Sequence, residues 1–260
     1  MIPSGFAGVE AQLWLWLVAM IRPGAAFLAA PVFGANFVPV QLRLIIALAL
    51  GIPALAATPF TLPAEGLASM AGFTLVASEV MAGLAIGFAV QIGFSAALIA
   101  GEVIGNAMGL GFAASIDPAS GHSNPVVGQF LSIMATFLFL SMGGHLALAA
   151  TIVESYRALP PGAAWIAADS LNGLVMFGGV LFSAGLSIAL PVGFAIVLIQ
   201  IVMGMLARSA PQLNLFAVGF PAALMAGIVL LAIAAPVLGE GIVGAIRLGL
   251  EEARRIAIGG

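Results

Sequence analysis

The apolar runs of this chain are too long, and too often interrupted by proline, to be a set of plain membrane spans. A helix crosses a bilayer with ~20 apolar residues. The run from Leu67 to Ala100 and the run from Leu171 to Leu206 far exceed that length, and Pro191 sits inside the second. The shorter runs are broken too. Ala11–Ala30 is interrupted by Arg22-Pro23. Leu42–Ala57 is preceded by Pro39 and contains Pro53, and Leu213–Leu238 holds Pro221 near its start and Pro236 near its end. Proline inside a helix removes one ladder hydrogen bond and clashes with the preceding turn, so each site is a kink or a stop. Irregular backbone at membrane depth must be buried in protein or line a water-filled path. The expectation is an all-α, membrane-associated fold of bent helices and helical hairpins, forming one domain over residues 1–260. That pattern fits a subunit of an assembly better than a bundle of straight spans.

Composition supports this. Of 260 residues, 63% are hydrophobic and 7% charged, against about 25% charged in soluble domains. A chain of this size cannot bury so much apolar surface on itself, so a bilayer or a large apolar assembly must cover the rest. There is no lysine, and the arginines lie at or near the ends of the apolar runs apart from Arg22. A net charge of −3 gives no basic face for nucleic acid. The absence of cysteine excludes disulfides, a thiol nucleophile and thiolate metal sites. The amino-terminal stretch lacks a basic region and a cleavage signal, so it is expected to be a first membrane segment with Trp14 and Trp16 near an interface. The tail from Gly239 to Gly260 is amphipathic, with Arg247, Glu251, Arg254 and Arg255 at helical spacing. Its arginines favour a cytoplasmic carboxyl terminus. Six simple spans would then put the amino terminus on the same side, but would leave Arg43 and Arg208 against the charge rule.

The segment GEVIGNAMGLGFAASIDPASGHSNP, from Gly101 to Pro125, is the most distinctive. Gly101, Gly105 and Gly109 recur every fourth residue, and Gly83 and Gly87 repeat the spacing one segment earlier. Small residues four apart let helices approach closely in an apolar medium, whether within the chain or against another subunit. Bulky apolar residues, Met108, Leu110, Phe112 and Ile116, sit where the helical pattern breaks. Asp117-Pro118 ends that pattern, because a residue before proline is pushed towards extended backbone, and Asp117 reads as a turn or capping residue. Asn124-Pro125 then offers an N-cap followed by proline at the first helical position, opening a helix to about Ser155. Leu159-Pro160-Pro161-Gly162 ends that region, and Asp169 or Ser170 caps the next run.

Four polar residues lie in apolar surroundings: Glu79, Gln91, Glu102 and His145. An ionisable group inside a membrane is a functional candidate, since its charge is costly there. It is either part of a proton or ion relay, or hydrogen-bonded to backbone freed at a helix break. Glu79 and Glu102 stand about 140° apart round an ideal helix and do not form a paired-carboxylate site. His122 and His145 are too few and too far apart for a metal. No catalytic motif is present: no G-x-S-x-G, P-loop, H-E-x-x-H or dinucleotide fingerprint. Gly109-Leu110-Gly111 has no basic residue near it to hold a phosphate. No cofactor is implied.

GEVIGNAMGLGFAASIDP closely resembles the helix-to-loop signature of the FliR family, integral components of the flagellar type III protein-export apparatus. RPGAAFLAAPVFG from Arg22, PVQLRLIIALAL from Pro39, GGH at Gly143–His145 and RSAPQLNLFAVGFP from Arg208 match in the same order, as do Leu159-Pro160 and Ala189–Pro191. The resemblance spans nearly the whole chain and is weakest in the tail. The paralogous injectisome subunit shares the fold, but the RSAPQLN block and the Asp-Pro loop look more like the flagellar branch. The resemblance implies a non-enzymatic subunit whose fold is similar to a fusion of its FliP and FliQ partners. It implies a site in the bacterial inner membrane at the flagellar basal body, around a path for unfolded exported polypeptides, with FlhA and FlhB working alongside. It further implies a plug loop over roughly Asn106–Asn124. There Met108, Leu110, Phe112 and Ile116, with Asp117 and Pro118, would fill the path and exclude water and ions at rest.

Two other readings compete on the residues alone. Broken helices are a trait of secondary transporters and channel subunits, but the two halves show no clear repeat and few substrate-pairing charges. An intramembrane enzyme lacks a nucleophile–base or metal constellation.

Overall fold

Proline fixes the first break in the chain. In the computed structural model, which describes residues 7–58, 61–63, 66–111, 126–162, 166–209 and 215–259, helix α1 (Ala7–Ala19) stops and α2 (Ile21–Ala29) begins one residue later. The ring of Pro23 cannot share a helix with the carbonyl four residues earlier, which belongs to Ala19. The break therefore falls one turn before the proline, and Pro23 itself lies in the first turn of α2, where its missing N–H costs little. A turn through Val32, a β-branched residue held at φ 67°, leads to α3 (Val40–Ala57). Arg43 closes that turn by donating from Nη2 to the carbonyls of Ala35 at 2.7 Å and Val38 at 3.1 Å.

The remaining helices are α4 (Met70–Ala107), α5 (Val126–Ser141), α6 (Gly144–Ala158), α7 (Ala168–Ser209) and α8 (Leu215–Ala257). The described residues hold helices and connecting turns and no strand, in agreement with the all-α expectation. At 42 and 43 residues, α7 and α8 are each about 60 Å long, twice the ~30 Å hydrocarbon thickness. Among the described residues four helical stretches are long and apolar enough to cross a membrane: Gln12–Ala29, Met70–Ala107, Ala168–Ser209 and Gly219–Ala257. The bent pair α5–α6 is a candidate fifth. The chain is a multi-pass membrane protein, with four or five candidate spans among the described residues where the simple sequence case takes six.

Several boundaries differ from the sequence reading, for physical reasons. The apolar run to Ala100 continues as helix to Ala107, as the glycine spacing indicates, because Gly101 and Gly105 pack against another helix and that packing outweighs their weak helix propensity. The helix expected to reach Ser155 breaks at Gly143, which adopts φ 73°, a left-handed conformation that glycine reaches without a Cβ penalty; α5 and α6 meet there at 64°. Asp169 and Ser170 lie inside the first turn of α7 rather than at its N-cap. The tail is not separate: α8 continues through Pro236 to Ala257. Beyond that proline Leu238, Ile242, Ala245, Ile246, Gly249, Ala253 and Ile256 are buried at helical spacing, and this packing outweighs the local cost of the proline.

The chain divides into two compact units. The first takes Met1–Gly93, Leu140–Gly178 and Ile246–Gly260, the second Phe94–Phe139 and Gly179–Ala245. In the first, α1, α2, α3 and α6 pack on one another. Gly83 and Gly87 of α4 face α2 so closely that a Cβ on either would meet backbone oxygen, that of Arg22 and of Ala26 respectively. Gly249 sits against Ala89, Val90 and Gly93. In the second unit, Gly101 of α4 lies against the backbone of Gly128 in α5, Gly185 of α7 against Ile99, and Gly241 of α8 against Ile188. Phe94 and Phe139 meet edge to face at 6.4 Å, a favoured ring geometry.

Candidate functional site

Two places gather the residues that are not simply apolar packing, one in each unit. The first is the α1–α2 break. Arg22, in the first turn of α2, is 2% exposed, and Glu79 of α4 is 1% exposed. The guanidinium grips the carboxylate with two bonds, Nε to Oε2 at 3.0 Å and Nη2 to Oε1 at 2.7 Å. Nη1 also donates to the Ser155 hydroxyl at 2.9 Å, and Nη2 to the Leu159 carbonyl at 2.7 Å. The Tyr156 ring lies 4.1 Å from the guanidinium carbon, close enough for a cation–π contribution. The Tyr156 hydroxyl donates to the Ala19 carbonyl at 2.8 Å.

That last bond closes the logic of the break. Pro23 has no N–H for the Ala19 carbonyl, and Tyr156 supplies the missing donor from α6. Leu159, just past the end of α6, has its carbonyl capped by Arg22 in the same way. Ser155 in turn donates to Ile152 at 2.7 Å. A buried pair is tolerable only when its remaining donors and acceptors are satisfied, and here they are. The cluster joins α1, α2, α4 and α6 and is shut off from solvent, so it holds backbone in place and has no open position for a ligand.

The second place is the end of α4, where the sequence set the root of its gate loop. Gly109 adopts φ 82° and closes a Schellman motif. Its N–H bonds the Asn106 carbonyl at 3.0 Å, and the Leu110 N–H bonds the Gly105 carbonyl at 3.0 Å. Three neighbours hold this end. Gln200 of α7 donates from Nε2 to the Ala107 carbonyl at 2.6 Å. Phe220 of α8 covers Gly109, with ring carbons 3.2 Å from where a Cβ would stand. The Met108 side chain, 2% exposed, fills the notch left by Gly227 of α8, its Cγ, Cε and Sδ lying 2.6 to 2.8 Å from a Cβ placed there.

The sequence-derived residues thus distribute unevenly. Met108 is buried on α8 and Leu110 is half-buried. Phe112, Ile116, Asp117 and Pro118 lie outside the described residues, as do His122 and the Asn124-Pro125 cap. Gly101 makes the closest approach of its series, to Gly128; Gly105 is in ordinary contact with Val127 at 3.7 Å, and Gly109 ends the helix. Of the four polar residues, Glu79 is paired, while Gln91 and Glu102 are half-buried on α4. His145 stands in the first turn of α6, its Nδ1 without a hydrogen-bond partner. Among the described residues no group of three His, Cys, Asp or Glu is placed to hold a metal.

Sequence reasoning marked Arg22-Pro23 only as an interruption and did not single out Ser155, Tyr156, Gln200, Phe220 or Gly227. The signal for Arg22 was present: a lone cation inside one apolar run and a lone carboxylate inside another each need a partner. Gln200 gave a weaker sign, a hydrogen-bonding side chain in an otherwise apolar stretch. Nothing local distinguishes Gly227 from the other glycines.

Residues 13–248 match the model of the bacterial export proteins, family 1. The flagellar biosynthetic protein FliR of Pectobacterium carotovorum subsp. carotovorum is 37% identical over 227 residues, covering 86% of each chain. The flagellar biosynthetic protein FliR of Escherichia coli (strain K12) is 34% identical over 237 residues, covering 88% of this chain and 89% of its own. The surface presentation of antigens protein SpaR of Shigella flexneri is 25% identical over 146 residues, 56% of each chain. With a match that takes in both sites and most of its length, the chain belongs to family 1 of the bacterial export proteins, the FliR family.

Proposed function

We propose that this protein is a structural, non-catalytic subunit of the flagellar type III protein-export gate. It joins FliP- and FliQ-family subunits in the bacterial inner membrane, at the basal body, around a channel for unfolded flagellar proteins. FlhA- and FlhB-family components work alongside it. The observation that carries this is the family match from residue 13 to residue 248. The 37% and 34% identity to the two flagellar relatives over most of the chain, against 25% over 56% of it for SpaR, supports the flagellar branch.

The physical character of the chain supports a gate rather than a reaction centre. The buried charge cluster around Arg22 and Glu79 is closed. The chain's long helices expose large apolar side chains: Phe182, Phe194 and Ile201 on α7, Met225 and Ile233 on α8. Such continuous apolar faces are covered by lipid or by partner subunits. We further propose that the loop leaving α4 is the plug of the channel, rooted at Leu110 and running through Phe112 and Ile116 to Asp117 and Pro118. Apolar side chains in a narrow path exclude water and thereby ions, and they slide against varied polypeptides without binding any tightly.

Co-purification from its own bacterium tests the assignment. The expected result is a stable complex with two other small apolar subunits of the FliP and FliQ families. Recovery as a monomer or homodimer that moves a small solute would instead establish the transporter reading.

A further inference from the structure

We propose that the end of α4 is a fixed seat, not part of the moving plug, and that its key is the Met108 side chain lodged in the Gly227 notch. This inference deepens the plug reading above and rests on it. The sequence grouped Met108 with the apolar tip that would move out of the path. The structure gives it different company.

Four independent contacts converge within one turn of helix. Met108 is 2% exposed and fills a notch that exists only because position 227 carries no side chain. Gln200 holds the Ala107 carbonyl from α7, Phe220 lies over Gly109 from α8, and the Schellman bonds fix Gly109 and Leu110 to Asn106 and Gly105. A methionine side chain is unbranched and follows an irregular notch closely, and a well-filled notch resists displacement because its contacts are lost together. The first position without such a hold is Gly111, which is exposed. The hold therefore ends at Leu110, and everything before Gly111 stays on the wall formed by α7 and α8. The seat aims the loop; the loop does the closing.

The absence of native cysteine makes a direct test possible. Cysteines replace Met108 and Gly227 in the complete assembled gate, and the pair is closed by oxidation or with a short bis-maleimide. We expect the cross-link to form at rest and export through the cross-linked gate to continue at the rate of the open pair. Loss of export on cross-linking, reversed by reductant for the disulfide, overturns a fixed seat, and failure to form either cross-link contradicts the contact itself.

A second variant reads the aiming role. Gly227→Ala puts one methyl where the Met108 side chain now lies, 2.6 to 2.8 Å from its Cγ, Cε and Sδ, and so forces that side chain out of the notch. We expect it to raise resting ion leak severalfold with subunit composition unchanged, and the Met108→Ala, Gly227→Ala pair to leak no more than either single variant, since each removes the Met108 side chain from the same notch. Unchanged leak, or strictly additive leak, overturns the proposal. Deleting residues 112–118 separates this from the plug reading. If that deletion leaves leak unchanged, the plug fails, while the cross-link still reports whether the end of α4 moves.

Discussion

At the α1–α2 break an interrupted helix is held by a buried guanidinium–carboxylate pair, a serine, a tyrosine hydroxyl and a capped carbonyl. At the end of α4 the hold is one amide hydrogen bond, one ring and one methionine in a notch. Both satisfy backbone groups that a helix end leaves open, but with different chemistry. A buried charged network is costly to open, because any partial opening strands a charge in an apolar medium. A soft apolar seat has no such penalty and fails gradually. The first suits a joint that must never move. The second suits the root of the proposed plug, whose origin stays put while the plug itself is displaced.

The largest expected effect breaks the first joint. Glu79→Ala leaves the Arg22 charge buried and unpaired, which costs about 3–5 kcal/mol. The protein should be lost from membranes or become protease-sensitive. Replacing both Arg22 and Glu79 with apolar residues of similar volume should recover most of that stability, because no charge is then stranded. Equal loss in the single and double variants would mean that the cluster matters for something besides charge pairing. The smallest effect is at the other joint. Gln200→Ala removes a single exposed hydrogen bond to Ala107, worth about 0.5–1.5 kcal/mol. It should leave abundance and complex formation unchanged and be detectable only as a slight rise in resting leak. A loss of stability matching that of Glu79→Ala would erase the distinction between the two joints.

The sequence carried much of this, unevenly. The all-helical membrane class follows from charge-poor runs, and the break before Pro23 from the proline's own geometry. The close-packed helix ending near Gly109 was legible as glycines at fourfold spacing followed by turn residues. Which helix those glycines pack on was not, because the approach of Gly128 to Gly101 exists only in the folded chain. The break at Gly143 had a local signal, the Gly143-Gly144 pair, but adjacent glycines also occur at Gly178-Gly179 inside the unbroken α7, so it is not decisive. The pairing of Arg22 with Glu79 joins positions far apart in the chain, and no periodicity encodes that. The Met108–Gly227 contact is harder still: the empty notch of a glycine is visible only once its neighbour is in place.

The most direct measurement is resting ion leak through the purified, assembled gate, with and without residues 112–118. If the loop leaving α4 closes the path, its removal raises leak well above that of the intact gate while the subunit composition stays the same. An assembled gate that remains equally tight without those residues would contradict the claim that this subunit closes the channel.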